Sequence, residues 1–450
     1  MPDRMRQAVA PAYLLMCLAL GGSVQGIWTN ALLQLTGVAI IVWAVLSPAE
    51  APLDRRGRQL LWVALAMLAV VIIQLVPLPA SLWPHLGGRE EIAADYRLLG
   101  MQVPALSLSI TPYETLATIF RAIPPVAIFC AMIRARAYRG TWFALALITG
   151  TMAAILLGVL QVSSDPVTSQ WYFYPQSSRG QAVGFFANAN HMGDLLVVTL
   201  PFLAALLLTA RGRTAQQFSG IATAVAGAVL VVLVGIVLNR SGAAYVLALP
   251  VAIVSLVLVL GRRRRIGGWA VALAVVLTVV GGALVLGPAG DRLLGSSVSV
   301  SSRAEMASNT VRATKDFAPF GSGLGSFRAV YPLYESPDEI DRVVTTHAHN
   351  DYLELALETG LPGILIMLAF LIWWAVAASS VWRSSASSPY ARAAVIASAA
   401  ILFHSLVDFP LRTAALGAVF AMCLGLMCAR PRTQKADESE LWPTRHMGLD

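Results

Sequence analysis

Apolar runs of roughly 17–25 residues recur along the chain, each long enough as a helix to cross a hydrocarbon layer of about 30 Å. A chain built this way has few folds open to it. Of its 450 residues 57% are hydrophobic and 12% charged, and the mean hydropathy is +0.70, which excludes a soluble fold. The expected fold class is all-α: a polytopic integral membrane protein with about twelve transmembrane helices. The spans fall near 8–23, 30–47, 60–76, 113–133, 140–160, 191–210, 219–238, 242–260, 267–287, 361–379, 392–408 and 411–429. The expected organisation is helices one to nine over 1–287, a large extracytoplasmic loop over 288–350, three helices over 351–429 and a cytoplasmic tail over 430–450.

Basic residues set the expected orientation, because short cytoplasmic loops retain Lys and Arg near span ends. Placing both termini inside puts Arg55, Arg56, Arg58, Arg134, Arg136, Arg139, Arg211, Arg213, Arg262 to Arg265, Arg383 and Arg392 in the cytoplasm. The formal charge of +8 then reports topology. It gives no reason to expect nucleic acid as a partner, since the clusters sit at span ends and not on one face. Cys17, Cys130, Cys423 and Cys428 all lie inside apolar runs, which leaves no disulfide framework or zinc knuckle in the loops. Arg4 and Arg6 before an apolar run imitate a signal peptide, but the parity of the spans requires that first run as an anchor.

Three outward loops are long, near 77–112, 161–190 and 288–350, so the polar working volume is expected on the outer side. Within the last, 301–317 reads as a helix that Gly321-Ser-Gly-Leu-Gly325 ends, the glycine run itself reading as a flexible turn. Phe327, Tyr331 and Tyr334 recur at helical spacing, either at the membrane interface or packed on their own loop.

Titratable side chains concentrate between Thr345 and Gly363. A helix begun at Asn350 places Asp351, Glu354 and Glu358 on one face, and Gly360 and Pro362 interrupt it before the next span. Ionisable groups at a bilayer mouth are costly unless they line an aqueous cavity, which makes this a candidate site. The carboxylates could tune a base, bind sugar hydroxyls or solvate a helix face. His347 could orient His349 or cap the loop. His347, His349, Asp351 and Glu354 can also be drawn as a zinc set, although the favoured reading has no metal. His404 and Asp408, four apart, read as a structural pair, and Arg121 inside a span needs an acid or a cavity.

His349-Asn350, nine residues, Gly360, two residues and Gly363 resemble the His-Asn-x9-Gly-x-x-Gly signature of the bacterial O-antigen ligase and O-antigen polymerase superfamily. Arg303 in SSRAEMA, APFGSGLGSF (318–327), HSLVDFPLR (404–412), GFFANANHMG (184–193) and LNRSGAAY (238–245) are similar to its other recurring segments. The resemblance implies a membrane glycosyltransferase that moves a glycan from an undecaprenyl-diphosphate carrier to an acceptor hydroxyl, with inversion and without a metal or other cofactor. It also implies a place in the bacterial inner membrane with the site facing the periplasm.

On that reading His349 is the catalytic base, because imidazole as a type titrates near neutral pH. Arg240 and Arg303 neutralise the departing diphosphate, Arg240 having Ala244 where some ligases carry Leu. His347, Asn350, Asp351, Glu354, Arg179 and Asn190 are supporting residues. The expected acceptor is lipid A–core, with polymerisation onto another glycan or protein O-glycosylation as alternatives. A polysaccharide transporter or flippase is the rival from another class, which the spans alone would permit.

Overall fold

The computed structural model describes residues 3–23, 27–48, 52–134, 139–261, 300–336 and 345–428. The described helices are α1 (Asp3–Leu20), α2 (Trp28–Leu46), α3 (Arg55–Gln74), α4 (Glu90–Leu98), α5 (Pro112–Arg121), α6 (Ile123–Ile133), α7 (Gly140–Val162), α8 (Ala189–Ala210), α9 (Ala215–Asn239), α10 (Gly242–Leu260), α11 (Val300–Asp316), α12 (Asp351–Arg383), α13 (Pro389–His404) and α14 (Ala414–Cys428). Among the described residues eight segments are long and apolar enough to span a membrane, α5 and α6 counting as one, and α13 and α14 are shorter apolar helices. The chain is a polytopic, all-α membrane protein. The expected span at 267–287, much of the loop from 288 and the 430–450 tail lie outside the described residues.

Burial divides the helices into two classes. α8 and α14 are buried around most of their circumference, which identifies central helices, and they pack with α1, α6, α7 and α13. Alanines at 391, 393, 394, 397 and 400 let the backbone of α13 approach its neighbours closely, the usual device where lipid offers no hydrophobic drive between helices. On α2, by contrast, only Thr29, Leu33, Gly37, Ile40 and Ala44 are buried, while Leu35, Val38 and Val42 point outward as lipid-facing surface would. The four cysteines are free and sit in this apolar framework.

The two ends of the bundle differ in chemistry. Arg56, at the start of α3, donates to Met427 O at 3.1 Å and to Ser380 Oγ, near the last turns of α14 and α12. The opposite end gathers the start of α8, the junction of α9 and α10, the start of α12 and the corner between α13 and α14. That corner carries the ionisable residues.

The segment between α3 and α5 folds over the same end, pinned by a two-residue antiparallel pairing of Pro77–Leu78 with Leu106–Ser107 and by Arg89. Arg89 is fully buried and donates to Gly87 O and Gly321 O at 2.8 Å each, and to Leu108 O, with its guanidinium over the Trp83 and Phe317 rings. Phe327 and Tyr331 are buried and stack on each other in a cluster with Met306, Phe317, Val330 and Leu357. The aromatic stripe therefore packs on its own loop, as one of the two sequence readings held, and does not present its faces to an interface.

Candidate active site

Asn350 caps α12: its backbone is extended and its Oδ1 accepts from the N–H groups of Tyr352 and Leu353, each at 3.0 Å. Its Nδ2 donates to Leu406 O at 2.9 Å, which ties the approach to α12 onto the corner between α13 and α14. His349 just before it has φ 47°, uncommon for a residue with a Cβ and characteristic of functional positions. In this conformation His349 Nδ1 lies 3.1 Å from Asp408 Oδ1, and its ring stands edge-on to Phe409 at 5.0 Å.

Asp408 is fully buried and accepts three hydrogen bonds: from His349, from Asn190 Nδ2 at 2.6 Å and from the Phe409 N–H at 3.0 Å. Burial alone would push its carboxyl up. The hydrogen bond from His349, with the charges of His349, His191 and His404, outweighs burial and holds it well below the usual carboxylate range. An ionised carboxylate only accepts, so Nδ1 of His349 is the donor and Nε2 carries the lone pair when the ring is neutral. That nitrogen has no partner among the described residues, and the side chain is 24% exposed. The arrangement is a histidine whose tautomer is fixed from behind and whose free nitrogen faces accessible space.

Asn190 links this dyad to the next element. Its Oδ1 accepts from Ser241 Oγ at 2.8 Å, Ser241 caps α10, and the residue before Ser241 is Arg240. Arg240 closes α9 in the left-handed conformation, at φ 56°, and its side chain is exposed. Two hydrogen bonds thus connect the backbone beside Arg240 to Asp408.

Asp351, Glu354 and Glu358 do share one face of α12, but none serves to solvate it. All three converge on Arg412, with Nε 3.6 Å from Asp351 Oδ1, Nη1 3.1 Å from Glu354 Oε1 and Nη2 3.0 Å from Glu358 Oε2. Burial would lower the Arg412 guanidinium; Glu354, Glu358 and Asp351 together more than reverse that and hold it above its ordinary value. Glu354 also accepts from the Ala348 N–H at 2.8 Å and meets His347 Nδ1 at 2.9 Å. His347 therefore neither orients its neighbour directly nor caps the loop: it bonds Glu354, and its ring lies 4.2 Å from that of Phe409. The zinc set does not come together, because His349 turns to Asp408 while Asp351 and Glu354 close on Arg412. Among the described residues no group of three His, Cys, Asp or Glu side chains could hold a metal ion.

Gly360 explains the signature spacing. It breaks α12 at φ 59°, ψ −153°, and the carbonyls just before it lose their helical donors. The glycine turn supplies replacements: Ser322 N–H to Leu357 O at 3.0 Å, Gly323 N–H to Glu358 O at 2.9 Å, and in return Leu361 N–H to Pro319 O at 2.8 Å. Gln74 Nε2 adds a bond to Glu358 O at 2.8 Å. A Cβ on Gly360 would meet Pro319 O at 2.2 Å, and one on Gly363 would meet Thr359 Oγ1 at 1.7 Å. The turn expected to be flexible is a clamp, with its Ser322 and Gly323 amides committed to α12.

The remaining expected residues divide. Arg303 lies on α11, which packs on α12, and its Nε is buried without a hydrogen-bond partner among the described residues. Arg179 is exposed and donates to Pro166 O and Val167 O of its own loop while stacking on Tyr172, so it is not brought to His349 through any described contact. Arg121 finds an acid, Glu114, at 3.3 Å, and lines a small polar cleft with Asn30, Gln34 and Arg412. His404 has a nearer partner than Asp408: Asp194 Oδ2 at 2.6 Å, against 3.9 Å. Sequence reasoning gave Asp408 and Arg412 no part in the site. The available signal was that both fall in the short polar corner between two apolar helices, within the HSLVDFPLR segment.

No curated protein matches the chain. A family model described as O-antigen ligase matches residues 226–368, taking in Arg240, α10, α11, the glycine turn, His349 and the first half of α12. Over residues 226–368, then, the chain is similar to the O-antigen ligase family.

Proposed function

We propose that the protein transfers a glycan from undecaprenyl diphosphate to a hydroxyl of lipid A–core, with His349 as the general base. The acceptor oxygen attacks the anomeric carbon, its proton passes to His349 Nε2, and the bond from that carbon to the diphosphate oxygen breaks with inversion. The observation that carries this reading is the His349–Asp408 dyad at the mouth of the bundle, its histidine inside the region matching the family. Asp408 holds the ring in the tautomer a base needs and stabilises the imidazolium that forms.

Charge develops on the departing diphosphate, and Arg240 and Arg303 supply guanidinium groups for it. Arg303, with a buried donor and no internal acceptor among the described residues, has donor capacity to spare. In this scheme the guanidiniums do the work of a divalent cation. The distribution of basic residues supports an inner membrane location with the dyad facing the periplasm.

The test is transfer by purified protein supplied with carrier-linked glycan and core lipid. Activity that persists with excess chelator and vanishes in His349→Ala supports the scheme; unchanged transfer in that variant removes His349 from the base role. Polymerisation uses the same donor and differs in acceptor. A ligase deletion accumulates long carrier-linked polymer over bare core, whereas a polymerase deletion leaves cores bearing single repeats.

A further inference from the structure

The dyad rests on a second buried pair that the proposed chemistry does not use. His404 ends α13 and Asp194 lies in the first turns of α8; both side chains are 1% exposed. His404 Nδ1 sits 2.6 Å from Asp194 Oδ2, and its Nε2 sits 3.9 Å from Asp408 Oδ2, the oxygen of Asp408 that His349 does not bond. The contacts are ion-pair approaches and not aligned hydrogen bonds. Each nitrogen of the ring nevertheless faces a carboxylate. Two carboxylates on either side of one ring favour its protonated form, an imidazolium between two anions.

We propose that the His404–Asp194 pair is a positioning unit for His349: its cationic end faces Asp408 and sets the charge that the catalytic imidazole meets. The role is electrostatic, because His404 touches neither His349 nor any accessible surface. The other titratable groups facing this region are His191 from α8, its Nε2 buried without a hydrogen-bond partner, His347 and His349 from the approach to α12, Asp351 on α12 and Asp408 itself. Removing the cation leaves Asp194 and Asp408 as two uncompensated anions under the dyad, which favours the protonated form of His349. Removing both members of the pair leaves one anion fewer and a smaller change in the same direction.

The inference rests on His349 acting as the base, so the experiment reads the imidazole and not the reaction. The full-length protein in detergent is treated with diethylpyrocarbonate across a pH series, and ethoxycarbonylation of His349 is followed by peptide mass spectrometry; of the two forms of an accessible imidazole the reagent takes the neutral one. His404→Gln should raise the pH midpoint and slow labelling near neutral pH about tenfold, and His404→Gln/Asp194→Asn should slow it about two- to threefold. A merely structural pair would lower the melting temperature of both variants and leave the midpoint where it is. If His404→Gln does not fold, the double variant decides alone, since its two amides leave no unpaired charge. A wild-type midpoint in the double variant overturns the proposal. Transfer that survives His349→Ala would sink the base assignment while leaving the midpoint result standing.

Discussion

Replacing Gly360 with alanine tests whether the clamp on α12 holds the site together. The new Cβ would lie 2.2 Å from Pro319 O and 2.6 Å from Gly321 N, roughly 1 Å inside contact distance. Neither atom belongs to a side chain that can rotate away. Relief requires the 319–321 backbone to withdraw, and that backbone is bonded to α12 through Leu361 N–H, Ser322 N–H and Gly323 N–H. Losing two of these bonds costs about 2 kcal/mol, and φ 59°, ψ −153° is a conformation only glycine adopts comfortably, for about 1–3 kcal/mol more. The total, about 3–5 kcal/mol, is a large part of the stability of an ordinary domain. Gly100→Ala is the internal control: its φ is also positive, at 69°, but a Cβ there meets nothing within 4 Å, so only a backbone cost of about 1 kcal/mol applies. Melting followed by fluorescence-detected size exclusion should show a marked loss of thermal stability in Gly360→Ala and a slight one in Gly100→Ala. Equal, small losses in the two variants would mean that the turn does not clamp the helix.

Asp408→Asn keeps the shape of the side chain but loses the charge that fixes the His349 tautomer; transfer should fall at least about 10²-fold with little change in donor affinity, and a normal rate would dismiss the dyad. Arg412→Gln leaves Asp351, Glu354 and Glu358 without their shared cation and should destabilise the protein by about 3–5 kcal/mol, measured as a drop in melting temperature; a mild effect would show that the carboxylates find other partners. Asp408 titrates below its unfolded value, so its stabilising contribution is complete above about pH 4 and is lost only as pH falls through the depressed folded value. Thermal stability compared between wild type and Asp408→Asn should therefore show a difference that does not shrink from pH 7 to pH 5, and a difference that closes within that window would refute the assignment.

Periodicity and composition made the helices legible: α3, α7, α8, α9 and α10 stand close to where the apolar runs put them, because each residue's contribution there is local. The interruption at Gly360 and the shared face of Asp351, Glu354 and Glu358 were readable for the same reason. What the face meets was not. Arg412 reaches Glu358 across 54 positions and Asn190 reaches Asp408 across 218, separations over which no spacing rule operates. His404 was paired with Asp408 because four residues is one helical turn, yet the chain leaves α13 at His404, and the packing of α8 on α13 brings Asp194 closer. The glycine turn was misjudged because its order comes from a partner, the broken ladder of α12.

The cut in α12 divides one continuous stretch of chain into two mechanical parts. Residues 351–359 are anchored by Arg412, Ser405 and the glycine turn, whereas Leu361, Leu365, Leu368, Ile372 and Val376 of the longer part are exposed at the bundle's periphery. A membrane of different thickness acts on the tilt of the peripheral part, and between that part and residues 351–359 stands the clamp at Gly360. A load from the surrounding lipid meets that clamp before it reaches His349 and Asp408.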